Sequence, residues 1–426
     1  MISKIQKAIS NQDLSELMKK GLVALLIRVL GFLAGYVFIF YTVKLYGAET
    51  QGRLALSFSF MIIGALFCRL GVDTHFVKIF AIKNNYDNAK GIYFKIVPFV
   101  LGLTCIVSTI IFVFSDEISN YVFNDPELSI FLKWTAPCVM FFTFILLNAG
   151  VFRGLKKNAL YSFLFNGGRF VFSLLFLGVF ILIYESTPVT SIIAHTLGIF
   201  VLFLISIIYI YKYLFPLSKH TNYKSKGFVL KSLPMLFSAS MIVFLGWSDT
   251  IILGIYRESS VVGVYSVVLK IAAVTSFTFQ AIDSILAPKL SSAFHDNDMA
   301  LFKKLVKFST IVNLIISLLV VIVIILFKDI ILRFFGEDFK LGSTALIILC
   351  VGQLFNAVCG PVGSILQMTG RQKVFQNILF IALIINITLN ILLVEKHGIN
   401  GVATATAISL AFWNITSYIY IRKTVF

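Results

Sequence analysis

The sequence predicts an all-α polytopic membrane protein of about twelve transmembrane helices, and three observations carry the prediction. Of the 426 residues, 59% are hydrophobic and only 13% are charged, where soluble domains carry about a quarter charged residues. Mean hydropathy is +0.95. The apolar residues also come in runs of roughly 20, long enough for a helix to cross a hydrocarbon core of about 30 Å, whereas spanning strands would be half as long and alternate in polarity. Lipid is therefore the main solvent of this chain.

The runs lie near 22–43, 54–77, 92–114, 130–152, 161–183 and 192–213, and then near 233–253, 261–287, 305–327, 341–366, 374–394 and 401–421. The longest connection between runs falls at mid-chain. This divides the chain into an N-terminal segment (1–21), a first lobe of six helices (22–213), a linker (214–232), a second lobe of six (233–421) and a C-terminal segment (422–426). No cleaved leader is expected, because the first apolar run is too long for a signal-peptide core and acidic Asp13 and Glu16 precede it.

Orientation follows from the alternate connections. One set holds Lys4, Lys7, Lys19 and Lys20, then Lys78, Lys83, Lys90 and Lys95, then Arg153, Lys156 and Lys157, and continues through Lys212, Lys224, Lys226 and Lys231 to Arg422 and Lys423. The other set has Lys44, Arg53, Arg257, Lys328, Arg333, Lys340 and Lys396, a bias of roughly three to one. Basic connections resist translocation, so both termini, and the linker, are expected on the cytoplasmic side of a plasma membrane. The net charge of +17 is thus mostly a topology signal and no nucleic-acid partner is expected.

Weak internal similarity accompanies the mid-chain break. Tyr46 to Gly52 resembles Tyr256 to Gly263, Gly154-x-x-Lys157 resembles Gly370-x-x-Lys373, and Tyr209-Ile210-Tyr211-Lys212 resembles Tyr418-Ile419-Tyr420 followed by Arg422. The offsets all approximate half the chain, as duplication of a six-helix unit would produce.

Catalytic apparatus is not visible. Gly47-Ala-Glu-Thr-Gln-Gly52-Arg53-Leu54 lacks the Lys-Ser/Thr pair of a phosphate-binding loop and follows no strand. The five histidines are scattered, and the five cysteines lie in or beside apolar runs without CxxC spacing, so neither a metal site nor a disulfide framework is indicated. No connection is long enough to form an extramembrane domain.

Ionisable residues inside the runs are then the informative positions, since each costs several kcal/mol unless it meets a cavity or a partner. Arg28 falls on one helical face with Ala24, Gly31 and Gly35, which is either a cavity face or a close-packing face with Arg28 snorkelling to the interface. Gly31-x-x-x-Gly35 reads as close helix packing. Arg69 and Asp73, four apart, suit an ion pair within one helix. Arg53 opens the second run as an interfacial anchor or a cavity rim, and Arg169 lies about nine residues into the fifth. Asp249 and Lys270 occupy similar depths on consecutive antiparallel runs, where they form either a structural pair or a gating pair that responds to substrate or a coupling ion. A cavity lined by Arg28, Arg53, Arg169 and Lys270 would carry a positive field and favour an anionic cargo.

Several of these residues sit in recognisable patterns. Arg28-x-x-Gly31, Tyr46-Gly47-x-x-x-x-Gly52 and Leu70-Gly71-Val72-Asp73 resemble the opening of Wzx-like O-antigen and capsule repeat-unit flippases, a branch of the multidrug/oligosaccharidyl-lipid/polysaccharide (MOP) exporter superfamily. Asp249-x-x-Ile252-Leu253, Val262-Gly263-Val264-Tyr265-Ser266 and Leu269-Lys270-Ile271 resemble the start of the second lobe in those proteins. The resemblance implies two six-helix lobes around a central cavity, in the MATE-like architecture, that rock between inward and outward openings. It implies an undecaprenyl-pyrophosphate-linked oligosaccharide as cargo, with Arg28, Arg53 and Lys270 facing the cavity. It also implies membrane lipid, a polysaccharide polymerase and a chain-length regulator as partners, no cofactor, and no enzymatic activity, while leaving coupling to a proton or sodium gradient open. Two other readings remain: a drug or metabolite antiporter of the same superfamily, and a membrane enzyme acting on lipid-linked sugars, such as a polymerase or ligase.

Overall fold

Long apolar runs without interior water must satisfy their backbone internally, and helices are the local solution. In the computed structural model, which describes residues 12–82, 85–183, 186–216, 221 and 223–426, the described residues form helices and connections with no strand. Residues 1–11 of the expected N-terminal segment, and 217–220 and 222 of the expected linker, lie outside the described residues.

Among the described residues, ten helices are long and apolar enough to cross a membrane. Two of them are far longer than one crossing requires. The Gln12–Arg69 helix is broken at Gly47 (φ 82°, ψ 179°) and the Gln372–Thr424 helix at Gly398 (φ 51°, ψ −130°), both left-handed conformations that glycine adopts without a Cβ clash. Each break falls between two runs of the sequence, so the architecture is compatible with the expected twelve spans. The carbonyls freed just before Gly398 are met by Arg257, whose guanidinium donates to the carbonyl oxygens of Val394 (3.1 Å) and Glu395 (2.6 Å).

Three in-span prolines leave their helices continuous and a fourth stands at a break. Pro98, Pro137 and Pro234 lie inside Tyr86–Val113, Leu128–Gly154 and Ser225–Tyr256. Pro361 instead follows Gly360 (φ 75°) at a complete break, so the run expected at 341–366 is two helices, Ser343–Cys359 and Val362–Met368. The run expected at 54–77 is broken as well. Leu70 and Gly71 both take positive φ, and a new helix, Val72–Ala81, starts there. A Cβ on Gly71 would lie 2.5 Å from the Ser232 carbonyl oxygen, so the break lets the Ser225–Tyr256 helix approach closely.

The chain folds as two compact units that are discontinuous in sequence. The first comprises Met1–Thr42, Phe60–Asn120 and Pro126–Ser240; the second comprises Val43–Ser59, Tyr121–Asp125 and Met241–Phe426. They differ from the division at 214–232 in that 43–59 and 121–125 pack with the second unit, and the first half of the Ser225–Tyr256 helix packs with the first. In the first unit the core gathers Phe76, Ile92, Tyr93, Phe152 and Phe228, with His75 stacked on Phe228 at 4.0 Å. A polar clamp crosses three of its helices: Tyr93 donates to Asn148 (2.6 Å), which donates to Ser206 (3.0 Å). In the second unit the core gathers Leu290, Phe302, Leu366 and Phe375.

Candidate functional site

A charge in an apolar span persists only where something answers it, so the ionisable residues within each unit define the candidate site. In the first unit Gly31 and Gly35 bring the Gln12–Arg69 helix against the start of the fifth run. A Cβ on Gly31 would lie 2.4 Å from the Gly167 Cα, and one on Gly35 would lie 3.1 Å from the Phe170 ring. The close packing expected of Gly31-x-x-x-Gly35 is present. Arg28 and Arg169 flank this contact from its two sides.

Arg28 is half-buried, its Nε is enclosed by protein, and no hydrogen bond or ion pair meets it among the described residues. The Arg169 guanidinium packs over the Phe170 ring at 4.3 Å and the Phe142 ring at 5.5 Å, so part of its charge is answered by aromatic faces. Arg169 follows a π-helical turn, Phe163–Gly167, which shifts the register of side chains beyond it. Beside it His195 meets Ser173 at 3.0 Å.

Arg53 takes a different role. It lies in the second unit, 5% exposed, and its Nε and an Nη reach the Asp125 carboxylate at 2.7 and 3.0 Å. The same guanidinium reaches Glu49, and Ser259 donates to Asp125 at 2.6 Å. Its charge is thus matched by carboxylates, which removes the field it was expected to lend a cavity. Arg69 and Asp73 do pair, at 2.5 Å, but across the break at Leu70 and Gly71 rather than along one helix.

The most developed polar centre of the second unit is built on Asp249, 2% exposed. Three other helical segments converge on it. Tyr265 donates to one carboxylate oxygen at 3.0 Å and Thr406 donates to the same oxygen. Asn390 and Asn386 donate to the other at 2.7 and 3.2 Å. Asn390 also donates to the Asn386 amide oxygen at 3.1 Å, which accepts from Ser248 at 2.8 Å as well. The Asn390 amide oxygen remains buried without a donor.

All of these partners of Asp249 are neutral, and the expected ion pair with Lys270 is not among them. The reason is angular: Lys270 lies five residues beyond Tyr265 on the Ser259–His295 helix, about 140° of rotation away from the face that Tyr265 turns to Asp249. Lys270 is half-buried on another face. Asn386 and Asn390 were missed by sequence reasoning, although two amides four apart inside an apolar run were a visible sign of a polar stripe. Tyr265 and Thr406 carried no such sign. Asp283, near the end of the same helix, is bonded by Ser364 at 2.5 Å.

Against this geometry the likeness to known proteins is consistent. The family model described as polysaccharide biosynthesis protein matches residues 17–294, and the MatE model matches 234–392. The "Probable low-salt glycan biosynthesis flippase Agl15" of Haloferax volcanii is 29% identical over 169 residues, 39% of this chain and only 36% of that protein. The "Putative O-antigen transporter" of Shigella flexneri is 22% identical over 378 residues, covering 85% of this chain and 87% of its own. Among solved structures, an inward-facing multidrug resistance MATE family transporter of the MOP superfamily superposes with TM-score 0.72 at 14% identity, covering 95% of this chain and 98% of that one. The lipid II flippase MurJ, in an inward closed conformation, superposes with TM-score 0.72 at 17% identity, covering 96% of this chain and 88% of its own. The chain is a multi-span integral membrane protein with the fold of MOP superfamily transporters, and it belongs to the polysaccharide biosynthesis protein family.

Proposed function

We propose that this protein is a flippase that carries a lipid-linked oligosaccharide with a phosphate-bearing linker, of the undecaprenyl-pyrophosphate repeat-unit type, across the plasma membrane by alternating access. The observation that carries the reading is Arg28: a half-buried cation inside an apolar span, with no acid to neutralise it among the described residues, is stabilised when an anion arrives. Arg169 in the same unit, and Lys270 in the other, supply further positive charge at span depth. Family membership supports a glycan rather than a cationic cargo.

In this reading Asp249 is the coupling group. Its carboxylate accepts from Tyr265, Asn386 and Asn390, and it takes a proton directly or, once the amides turn their oxygens inward, a small cation such as sodium, so the driving gradient acts there.

The test is transport by the purified protein in vesicles loaded with polyprenyl-pyrophosphate-linked oligosaccharide, followed by lectin accessibility. Arg28→Ala and Lys270→Ala are expected to slow transfer by about tenfold or more at unchanged protein level. Full rate in both variants would overturn the anion-binding assignment. The match of the MatE model over the second half favours one other reading, cation-coupled drug or metabolite antiport. Uptake of an organic cation by the same vesicles, with no glycolipid transfer, would select it.

A further inference from the structure

The first unit contains an open cleft of about 970 Å³ that the transport reading does not use. Its walls are the turn after the Leu128–Gly154 helix, the first residues of the next helix, the last turns of the Pro188–Leu214 helix, and Ile27. We infer that this cleft binds an anionic membrane phospholipid, with the headgroup phosphate among Lys156, Lys157 and Lys212 and an acyl chain along Ile208 and Phe163.

Local structure aims the bases. The helix ending at Gly154 closes with Lys157 N–H donating to the Phe152 carbonyl at 2.9 Å and Lys156 in a left-handed conformation (φ 59°). Two lysines therefore leave the turn side by side at the cleft mouth. Lys212 faces them from the last turn of Pro188–Leu214, and the Lys157 ammonium lies 5.1 Å from the centre of the Tyr213 ring. None of the three lysines makes an ion pair among the described residues, although acids elsewhere pair with their neighbouring bases.

Depth argues for a lipid over a free phosphate. Ile205, Ile208, Tyr209 and Lys212 share one helical face, so the cleft changes from charged to apolar along that face. At 1.5 Å per residue Ile208 and Ile205 lie roughly 6 and 10 Å deeper than Lys212, where an acyl chain begins below its phosphate. Ile208 is 64% exposed on a helix that crosses the membrane, so this wall faces lipid. The basic end lies on the side of the chain that holds most of its Lys and Arg. Both walls belong to one compact unit, so the site depends on the membrane location of the chain and not on the cargo proposed above.

The experiment is native mass spectrometry of the full-length protein in detergent, titrated with phosphatidylglycerol or phosphatidylcholine. The expected result is a preference for phosphatidylglycerol of at least tenfold. Lys156→Gln, Lys157→Gln and Lys212→Gln should each weaken it by about fivefold, the factor that corresponds to one basic residue near an anionic lipid surface. Ile208→Trp, which fills the apolar end and leaves the charges in place, should weaken binding of both lipids. Lys373→Gln and Lys423→Gln should leave binding unchanged. Retention of phosphatidylglycerol by all three single lysine variants at the level of the unsubstituted protein would overturn the inference. So would equal affinity for the two lipids, or displacement by inorganic phosphate at the concentration where phosphatidylglycerol itself competes, which would mark a free-anion site. The single variants decide the matter if a triple substitution fails to fold.

Discussion

Gly52 and Gly263 pack backbone against backbone within the second unit, each filling the space where the other's side chain would be. A Cβ on Gly52 would lie 1.7 Å from the Ser259 carbonyl oxygen, and one on Gly263 would lie 1.8 Å from the Ala48 carbonyl oxygen. Ala48 and Ser259 stand 211 residues apart in the chain, as do Gly52 and Gly263. The contact is therefore reciprocal between two segments that already resemble each other in sequence, as a pseudo-twofold relation between duplicated halves would make it. Gln51 adds a hydrogen bond to Ser266 at 3.1 Å.

Gly52→Ala and Gly263→Ala should each force the two helices apart, since the opposing atoms are backbone and cannot rotate away. We expect a loss of about 1–3 kcal/mol, read as a lower melting temperature in detergent. Gly102→Ala and Gly178→Ala, whose added methyl meets no neighbour within 4 Å, should be neutral or raise stability by up to about 1 kcal/mol. Equal effects at all four positions would refute the close contact.

The Arg53–Asp125 pair is enclosed, with side chains 6% and 11% exposed. Arg53→Met strands the enclosed Asp125 charge and should cost about 3–5 kcal/mol, whereas Asp125→Leu leaves Arg53 the exposed Glu49 and should cost less. The double variant should recover much of that loss. A double-mutant cycle by thermal unfolding checks the coupling, and additive losses would show that the pair is immaterial.

Asp249→Asn keeps the shape of the carboxylate but turns one oxygen into a donor facing Asn and hydroxyl donors. The expected outcome is a folded protein whose transport no longer responds to an imposed proton or sodium gradient. Tyr265→Phe, which removes one donor, should leave gradient response present and cost about 1–3 kcal/mol of stability. Unchanged gradient dependence in Asp249→Asn would move the coupling site elsewhere.

Asp116 sits outside the spans, where hydrogen bonds from Ser129 and from Lys133 (3.0 Å) hold its carboxyl below the usual 3.8. A depressed carboxyl stabilises the folded form above its unfolded value and loses that contribution as pH falls through its folded value. Hydrogen-exchange protection at 115–133, relative to the intrinsic rate at each pH, should therefore fall below about pH 4, and Asp116→Asn should abolish that acid step.

Much of this protein was legible from local pattern. The spans were readable because each is a contiguous apolar run, and the Gly47 and Gly398 breaks fall between runs as the twelve-span reading requires. Gly31 and Gly35 were readable as a packing face because helical spacing puts them on one stripe. Pro361 marked a bend within its run, and a break stands there; the break at Leu70–Gly71 carried no such mark, because hydropathy is blind to a kink that leaves composition unchanged. The Asp249 centre was only half legible. Equal depth suggested Lys270 as its partner, but depth carries no information about rotation around the helix.

The sequence by itself determined the membrane class, a set of apolar runs compatible with twelve crossings, the bias of charge between alternate connections and the weak likeness between its halves. These follow from residue type and spacing along one run or its repeat. Only the tertiary structure decided which charges are answered and by what. Arg53 is neutralised by Asp125 from 72 positions away, and Asp249 is held by Asn386, Asn390 and Thr406 from 137 to 157 positions away, while Arg28 keeps its charge unmatched among the described residues. Those outcomes depend on which helix faces meet in space, and in a membrane, where apolar burial barely distinguishes one helix pairing from another, packing of small residues and polar contacts settles them.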